Sequence, residues 1–252
     1  MGEVYNTIAI DIINAFTNNP ERMFPAAFVA ITVGYIYYVY SFLLIRRDKK
    51  SSIPLWLHVF FLADDTTACV IFFLAAMKYN WYWFYVMFSV GMFIWIFFEL
   101  YCIRFALLNE RQEIRGGDKP VTMKQGIVYV IALYAVSMVV VNMIIVWTGD
   151  EVMMQMFTIC NILAVTVPPL YWWRSKTREG ACLGFALNNI FIAFTNFLPP
   201  GYGWWTTGSS YFDHPMWYIA GVVLTLYTIG AFIMLKNKPP RATLAGQKKS
   251  LW

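Results

Sequence analysis

The chain has 252 residues, of which 60% are hydrophobic, 19% aromatic and only 13% charged, too apolar for an ordinary soluble domain of this length. Its net charge of +5 follows no zinc-finger spacing and no basic helix, which points to anionic lipid headgroups and away from nucleic acid. Cys69, Cys102, Cys160 and Cys182 form no CxxC pair, and the only two histidines, His58 and His214, are expected on opposite sides of the membrane; this disfavours a disulfide framework, a metal site and the multi-histidine membrane hydrolases, desaturases and hydroxylases.

Residues 1–23, MGEVYNTIAIDIINAFTNNPERM, carry acids and asparagines where a signal peptide would have a basic start and an uninterrupted apolar run. They are expected to form a short helix outside, lying along the membrane surface. Apolar runs of about 20 residues, the length that crosses a bilayer, follow at 24–45, 54–77, 81–105, 125–147, 152–173, 181–199 and 214–235. The pattern predicts an all-α, polytopic membrane protein with a seven-helix transmembrane domain over 24–236 and a basic tail over 237–252. Its expected location is the endoplasmic reticulum or a bacterial inner membrane.

Of the 19 lysines and arginines, all but Arg22 and Lys78 lie in 46–53, 104–124, 174–180 and 236–252. Basic residues collect in cytoplasmic loops, so the amino terminus is expected outside and the carboxy terminus in the cytoplasm.

Run two contains FLADDTTACVIFF. Asp64 and Asp65 lie 10 and 11 residues beyond Pro54, about 15 Å deep, close to the midplane. Intramembrane acids are expensive, and they are usually paired, protonated or functional. Adjacent helical residues diverge by about 100°. His58, Leu62, Asp65 and Cys69 therefore share one stripe, while Asp64 lies with Leu57, Phe60 and Ala68 and needs a partner from another helix. Two acids this close do not both ionise readily in a low dielectric, so one is expected to hold a proton.

Run three carries Glu99 in FIWIFFELYCIRF, about 9 Å from the centre. It is either paired with a loop base such as Arg104 or a second cavity carboxylate. Trp95 is the one tryptophan near mid-span, where its π face could meet a cation or a ligand; most of the others sit at span ends as an interfacial belt. The loop 104–124 then separates runs one to three from runs four to seven, with GGDKP as a turn signal.

Asn142 and Asn161, alone in runs four and five, are expected to hold helices together. Pro168 and Pro169 should kink run five or open its hydrogen-bond ladder. In run six, ALNNIFIAFTN sets Asn189 and Asn196 on one face and Asn188 with Thr195 beside it, either helix-joining amides or a ligand-facing wall. The loop LPPGYGWWTTGSSYFDHP caps an outward cavity or belongs to the aromatic belt. No lysine lies within run seven, against retinal binding.

The stretches REGACLGFALNNIFIAFTNF and YFDHPMWYIAGVVLTLYTIGAF, with SSIPLWLHVFFLADDTT at run two, resemble the small seven-helix membrane terpene cyclases of fungal meroterpenoid and indole-diterpene pathways. Glu179-Gly180-Ala181 and His214-Pro215-Met216 stand where that family leads into its last two helices. The family's acid on helix two would fall at Leu62, one turn from Asp65, and its Asn-x-x-Trp pattern is missing. Its second acid would fall near Thr228, where no carboxylate stands. The resemblance implies a metal-independent, cofactor-free enzyme on a lipid-soluble prenylated substrate. Asp65, Asp64 or Glu99 would be the acid, and Trp95, His58, Asn188, Asn189, Asn196, Tyr227 and Thr228 would line a cavity between runs two, three, six and seven. A protonated acid among aromatic faces can start a carbocation cascade where water is excluded.

RRDKKSS after run one and RSKTREG after run five also resemble the basic turns of SWEET and PQ-loop carriers, with a possible three-one-three repeat, although Pro168-Pro169 replaces the proline-glutamine pair. That outline implies a small-solute transporter with Asp64 or Asp65 carrying a coupling proton. A third reading is a non-catalytic subunit of a membrane complex, whose buried acids pair between helices.

Overall fold

The structure, a computed structural model, describes residues 7–115, 120–240 and 252; Gly116–Lys119 of the GGDKP turn and most of the basic tail lie outside these residues. Among the described residues the fold is all-α, without strands. The long helices are α2 (Pro20–Asp48), α3 (Leu55–Lys78), α4 (Trp83–Asn109), α5 (Met123–Thr148), α6 (Met154–Trp173) and α9 (Pro215–Lys236). These six are long and apolar enough to cross a membrane, as expected of a multi-pass membrane protein in contact with lipid. The remaining helices are α1 (Thr7–Asn18), α7 (Leu183–Thr195) and α8 (Trp204–Gly208). At 13 residues, α7 is about 20 Å long, short of the roughly 30 Å of a hydrocarbon core. Asn196 caps it in helical conformation, and the chain leaves the helix at Phe197 through Leu198-Pro199-Pro200.

The chain divides into two compact units, Ile45–Met156 and a second formed by Met1–Leu44 with Phe157–Trp252. This division groups α3, α4 and α5 in one unit.

In the first unit, α3 packs on both α4 and α5. Some 61% of its central window is buried, against 33% or less in the other five long helices. Its face toward α5 is joined by Thr66, whose hydroxyl lies 3.0 Å from that of Tyr134, and by Thr67, which accepts from Asn142 Nδ2 at 3.5 Å. Asn142 thus joins helices as expected. Val59, Leu62 and Ile103 form a buried apolar cluster, with Leu55, Ile96, Leu107, Val130 and Leu133 around it. Helix α5 starts in a reciprocal capping box between Thr122 and Gln125 and ends at Gly149, whose φ of 64° suits glycine. Asp150 then accepts from the Met156 N–H at 2.8 Å, which satisfies one of the orphan donors of α6.

In the second unit, α7 packs against α9. The approach is close: a Cβ on Gly221 would stand 2.3 Å from the Phe197 Cβ, so only glycine fits there. The double proline lies inside α6, which runs on as helix to Trp173; nearby, the Thr166 carbonyl accepts from the Tyr227 hydroxyl at 2.9 Å. In the loop after α7 the aromatics divide, with Tyr202 and Tyr211 exposed. Trp204, Trp205 and Phe212 are buried, and Trp217 packs between Phe197 and Phe212 with ring centroids 4.6 and 5.0 Å away. Helix α1 closes onto this aromatic core through Phe16, near Trp204, and through Asp11, which accepts from Ser209 Oγ at 2.6 Å.

Asn196 holds the loop to its helices. Its Oδ1 accepts from Trp205 Nε1 at 3.1 Å, and its Nδ2 donates to the Ile192 carbonyl at 3.0 Å and to Asn161 Oδ1 at 3.4 Å. Removing it leaves a buried indole N–H without its acceptor, which costs about 1–3 kcal/mol. Asn196→Ala is therefore expected to lower the thermal midpoint in detergent clearly more than Asn142→Ala, whose long, part-buried inter-helix bond is worth about 0.6 kcal/mol.

Candidate functional site

The stripe predicted on α3 faces α4. His58 Nδ1 lies 2.5 Å from Glu99 Oε2, and farther along Ser89 Oγ donates to the Cys69 carbonyl at 2.9 Å. These two links fix the antiparallel register and place Asp65 between them, opposite the buried Met92. Glu99 is thus paired with His58 from the neighbouring helix and not with Arg104 from its own. The sequence shows Arg104 one turn from Glu99 but does not show which residue of α3 the register brings opposite.

The link continues toward the basic end of the helices. Ser51 Oγ is 3.0 Å from His58 Nε2, and the Ser51 backbone N–H donates to Glu110, the C-cap of α4. Against an ionised Glu99, the tautomer that satisfies both ring contacts has Nδ1–H donating to Glu99 and Nε2 accepting from the Ser51 hydroxyl. Ser51, His58 and Glu99 are each 0% exposed, so every polar atom in the chain depends on its neighbours.

Two turns beyond His58 comes Asp65, 4% exposed, whose Oδ2 has no hydrogen-bond partner among the described residues. Asp64, 3% exposed, lies on the third face of α3 with Leu57 and Ala68, as its position in the sequence requires. A further two turns along the stripe, Phe72 stacks on Tyr85 at 6.2 Å and packs against Phe84 and Phe88. Asp65 therefore separates a hydrogen-bonded polar chain on one side from an aromatic cluster on the other.

Of the expected site residues, the structure brings Asp64, Asp65, Glu99 and His58 together, with Trp95 half-buried on α4 one turn before Glu99. Asn188, Asn189, Asn196, Tyr227 and Thr228 belong to the second unit. There Asn188 donates to the Val33 carbonyl at 3.0 Å, Tyr227 to Thr166, and Thr228 to the Leu224 and Thr225 carbonyls of its own helix at 3.0 and 2.9 Å. Asn188 and Tyr227, like Asn196, thus bond to another helix, whereas Thr228 bonds only within its own. Asn189 differs: it is 1% exposed, and neither amide atom has a hydrogen-bond partner among the described residues.

Sequence reasoning passed over Ser51 and Glu110, although a signal was present. Ser51, His58, Asp65 and Phe72 recur every seven residues, and Glu110 follows Glu99 by eleven, each spacing returning to nearly the same helix face. Pro54, at the N-cap of α3, makes Ser51 look external to the helix it serves.

Comparison with known proteins yields no match: no family model, curated protein or solved structure is significantly similar to this chain.

At the end of α4, burial pushes the Glu110 carboxyl up to about 7, against the Ser51 N–H, Lys50 and His58, which favour its charge, while Glu113 opposes it. The folded state then binds more protons than the unfolded one between the ordinary value of 4.5 and about 7. The stability that Glu110 contributes is full below that window and is lost as pH rises through about 7. Glu110→Gln keeps an acceptor for the Ser51 N–H and removes the titration. The variant should show a flatter thermal midpoint than the wild type between about pH 5 and about pH 8, with its gain largest at the alkaline end.

Proposed function

We propose that the chain is a membrane-embedded, terpene cyclase-like enzyme in which Asp65 donates the proton that starts cyclisation of a lipid-soluble prenylated substrate. The observation that carries this reading is the position of Asp65. It is buried at the middle of the most enclosed spanning helix, one of its oxygens has no hydrogen-bond partner among the described residues, and a second buried acid, Asp64, adjoins it in the chain. A carboxylic acid in such surroundings can protonate an epoxide or an alkene. The faces of Phe72, Tyr85 and Phe88 supply the π density that stabilises a carbocation. A prenylated substrate dissolves in the bilayer and reaches α3 without crossing water.

In this reading α7 and its flanking segments complete a seventh crossing. The clustering of basic residues in 46–53, 104–124 and 174–180 supports an outside amino terminus and a cytoplasmic carboxy terminus.

A second reading, a small-solute carrier built on the three-one-three outline, is favoured by Asn189, whose buried amide has no hydrogen-bond partner among the described residues. A polar solute would complete its hydrogen bonds, and Asp64 or Asp65 would carry a coupling proton.

Membranes containing the wild-type chain should convert prenylated epoxides to cyclic products. Asp65→Asn should lose about a hundredfold or more of that rate, in the range expected for removal of a general acid, and Asp64→Asn should lose less. Equal turnover in both variants and the wild type would take the acids out of the chemistry. Saturable, pH-dependent solute uptake into proteoliposomes without any cyclisation would favour the carrier.

A further inference from the structure

A buried amide that makes no hydrogen bond is destabilising, and Asn189 is such a group: neither its Oδ1 nor its Nδ2 has a partner among the described residues. Its surroundings follow from two contacts that join α7 to α6. At one end Phe185 packs on Trp172 with ring centroids 5.5 Å apart, and at the other Asn196 donates to Asn161 Oδ1 at 3.4 Å. The two contacts are eleven residues apart on each helix, so the helices run antiparallel in a single register. Asn189 lies on the stripe of Phe185 and Asn196, four residues from the first and seven from the second. The residue that stands at the same distances from Trp172 and Asn161 on α6 is Pro168, which is buried and shares its stripe with the buried Val165.

Proline carries no N–H, so Pro168 and Pro169 leave the carbonyls of Ala164 and Val165 without their donors one turn on. A carbonyl of this same turn already takes a donor from outside its helix: Thr166 accepts from the Tyr227 hydroxyl at 2.9 Å. Backbone acceptors that have lost their helical donors thus lie at the level of an amide that offers both donors and an acceptor. We propose that Asn189 and the proline-opened turn of α6 form a binding site for a neutral, lipid-soluble alcohol, whose hydroxyl donates to a carbonyl of α6 and accepts from Asn189 Nδ2. The inference rests on the second reading above only in giving Asn189 a ligand, and it is independent of Asp65.

The chemistry of the unit selects this class. No carboxylate, histidine, lysine or arginine of the second unit is buried among the described residues, so a charged ligand would enter hydrocarbon without a counter-ion. A hydroxyl is the smallest group of an organic ligand that donates and accepts at once. Beyond the amide, the two facing stripes present Phe185 and Ile192 on α7 and Val165 and Trp172 on α6, all buried. These suit an apolar body and would leave the further hydroxyls of a polyol unpaired. A trapped water has the same hydrogen-bonding chemistry, and the test separates the two.

The probe is a fatty alcohol with a photoreactive diazirine near its hydroxyl end, added to the full chain in lipid nanodiscs and mapped by peptide mass spectrometry. Label should fall around Pro168 and Asn189. Excess dodecanol should displace it, and dodecyl methyl ether, which has lost the O–H donor, should not. Asn189→Leu removes both amide atoms at nearly constant volume and should cut the displaceable label about tenfold, without lowering the thermal midpoint. Pro168→Ala gives the Ala164 carbonyl its N–H back and should cut the label as well. If either variant fails to fold, displacement from the wild type by the alcohol and not by the ether still decides. Label that dodecanol does not displace, that the ether displaces equally, or that persists unchanged in a folded Asn189→Leu or Pro168→Ala overturns the site. A lower midpoint in Asn189→Leu with no displaceable label in the wild type assigns the amide to a trapped water only and overturns it too. An absence of solute uptake with the displaceable label intact would remove the carrier and leave the site.

Discussion

A carboxyl group at the centre of a spanning helix has to be kept from lipid, because an ionised or unpartnered acid in hydrocarbon costs several kcal/mol. Helix α3 carries two such groups, and the packing of its unit follows from that need. It is the most enclosed of the long helices, whereas α5, which carries no acid, has only 11% of its central window buried. Exposed apolar side chains line the long helices, and the polar side chains of α3 other than Asp64 turn toward α4 and α5.

That arrangement gives α3 three distinct faces. Thr66 and Thr67 join it to α5, His58, Asp65 and Cys69 look toward α4, and Asp64 lies on the third face. The link between His58 and Glu99 has the strongest hold on register. Both partners are fully buried, so removing one strands the other, and losses of that kind run to about 3–5 kcal/mol. A slip of one residue between α3 and α4 would break this link and the bond from Ser89 to Cys69 together. The placement of Asp65 between the polar chain and the aromatic cluster of Phe72, Tyr85, Phe84 and Phe88 depends on both.

Much of this was legible in the sequence, for physical reasons. Apolar runs of bilayer length identify the long helices without any tertiary information. Helical periodicity alone separates Asp64 from Asp65 and groups Asp65 with His58 and Cys69. Three features were not legible. The partner of Glu99 depends on inter-helix register, and a base five residues away in the same helix looks closer on the page than a histidine 41 residues distant. The length of α7 is set where the chain turns into Leu198-Pro199-Pro200, although its apolar run continues past the helix end. The tryptophans after α7 look like interfacial anchors because composition does not distinguish a ring at a lipid surface from one packed on Phe197 and Phe212. Asn196 shows the same ambiguity from the polar side: spacing places it on a face, and only its bonds to Trp205 and Asn161 reveal that it holds the loop.

The account stands on the orientation of one imidazole, and the chain offers a direct reading of it. It contains two histidines, His58 and His214. His214 is exposed and accepts from the Met216 N–H at its Nδ1, so its neutral form carries the proton on Nε2. Against an ionised Glu99, His58 is held the opposite way, with Nδ1–H donated to Glu99 and Nε2 accepting from Ser51. Nitrogen NMR of the histidine-labelled protein in lipid should therefore show one Nε2-protonated ring and one Nδ1-protonated ring. The Nδ1–H signal should shift in Glu99→Gln and be insensitive to Glu21→Gln. Two rings of the same Nε2–H tautomer, or a His58 signal indifferent to Glu99, would contradict the buried chain on which the reading of Asp65 depends.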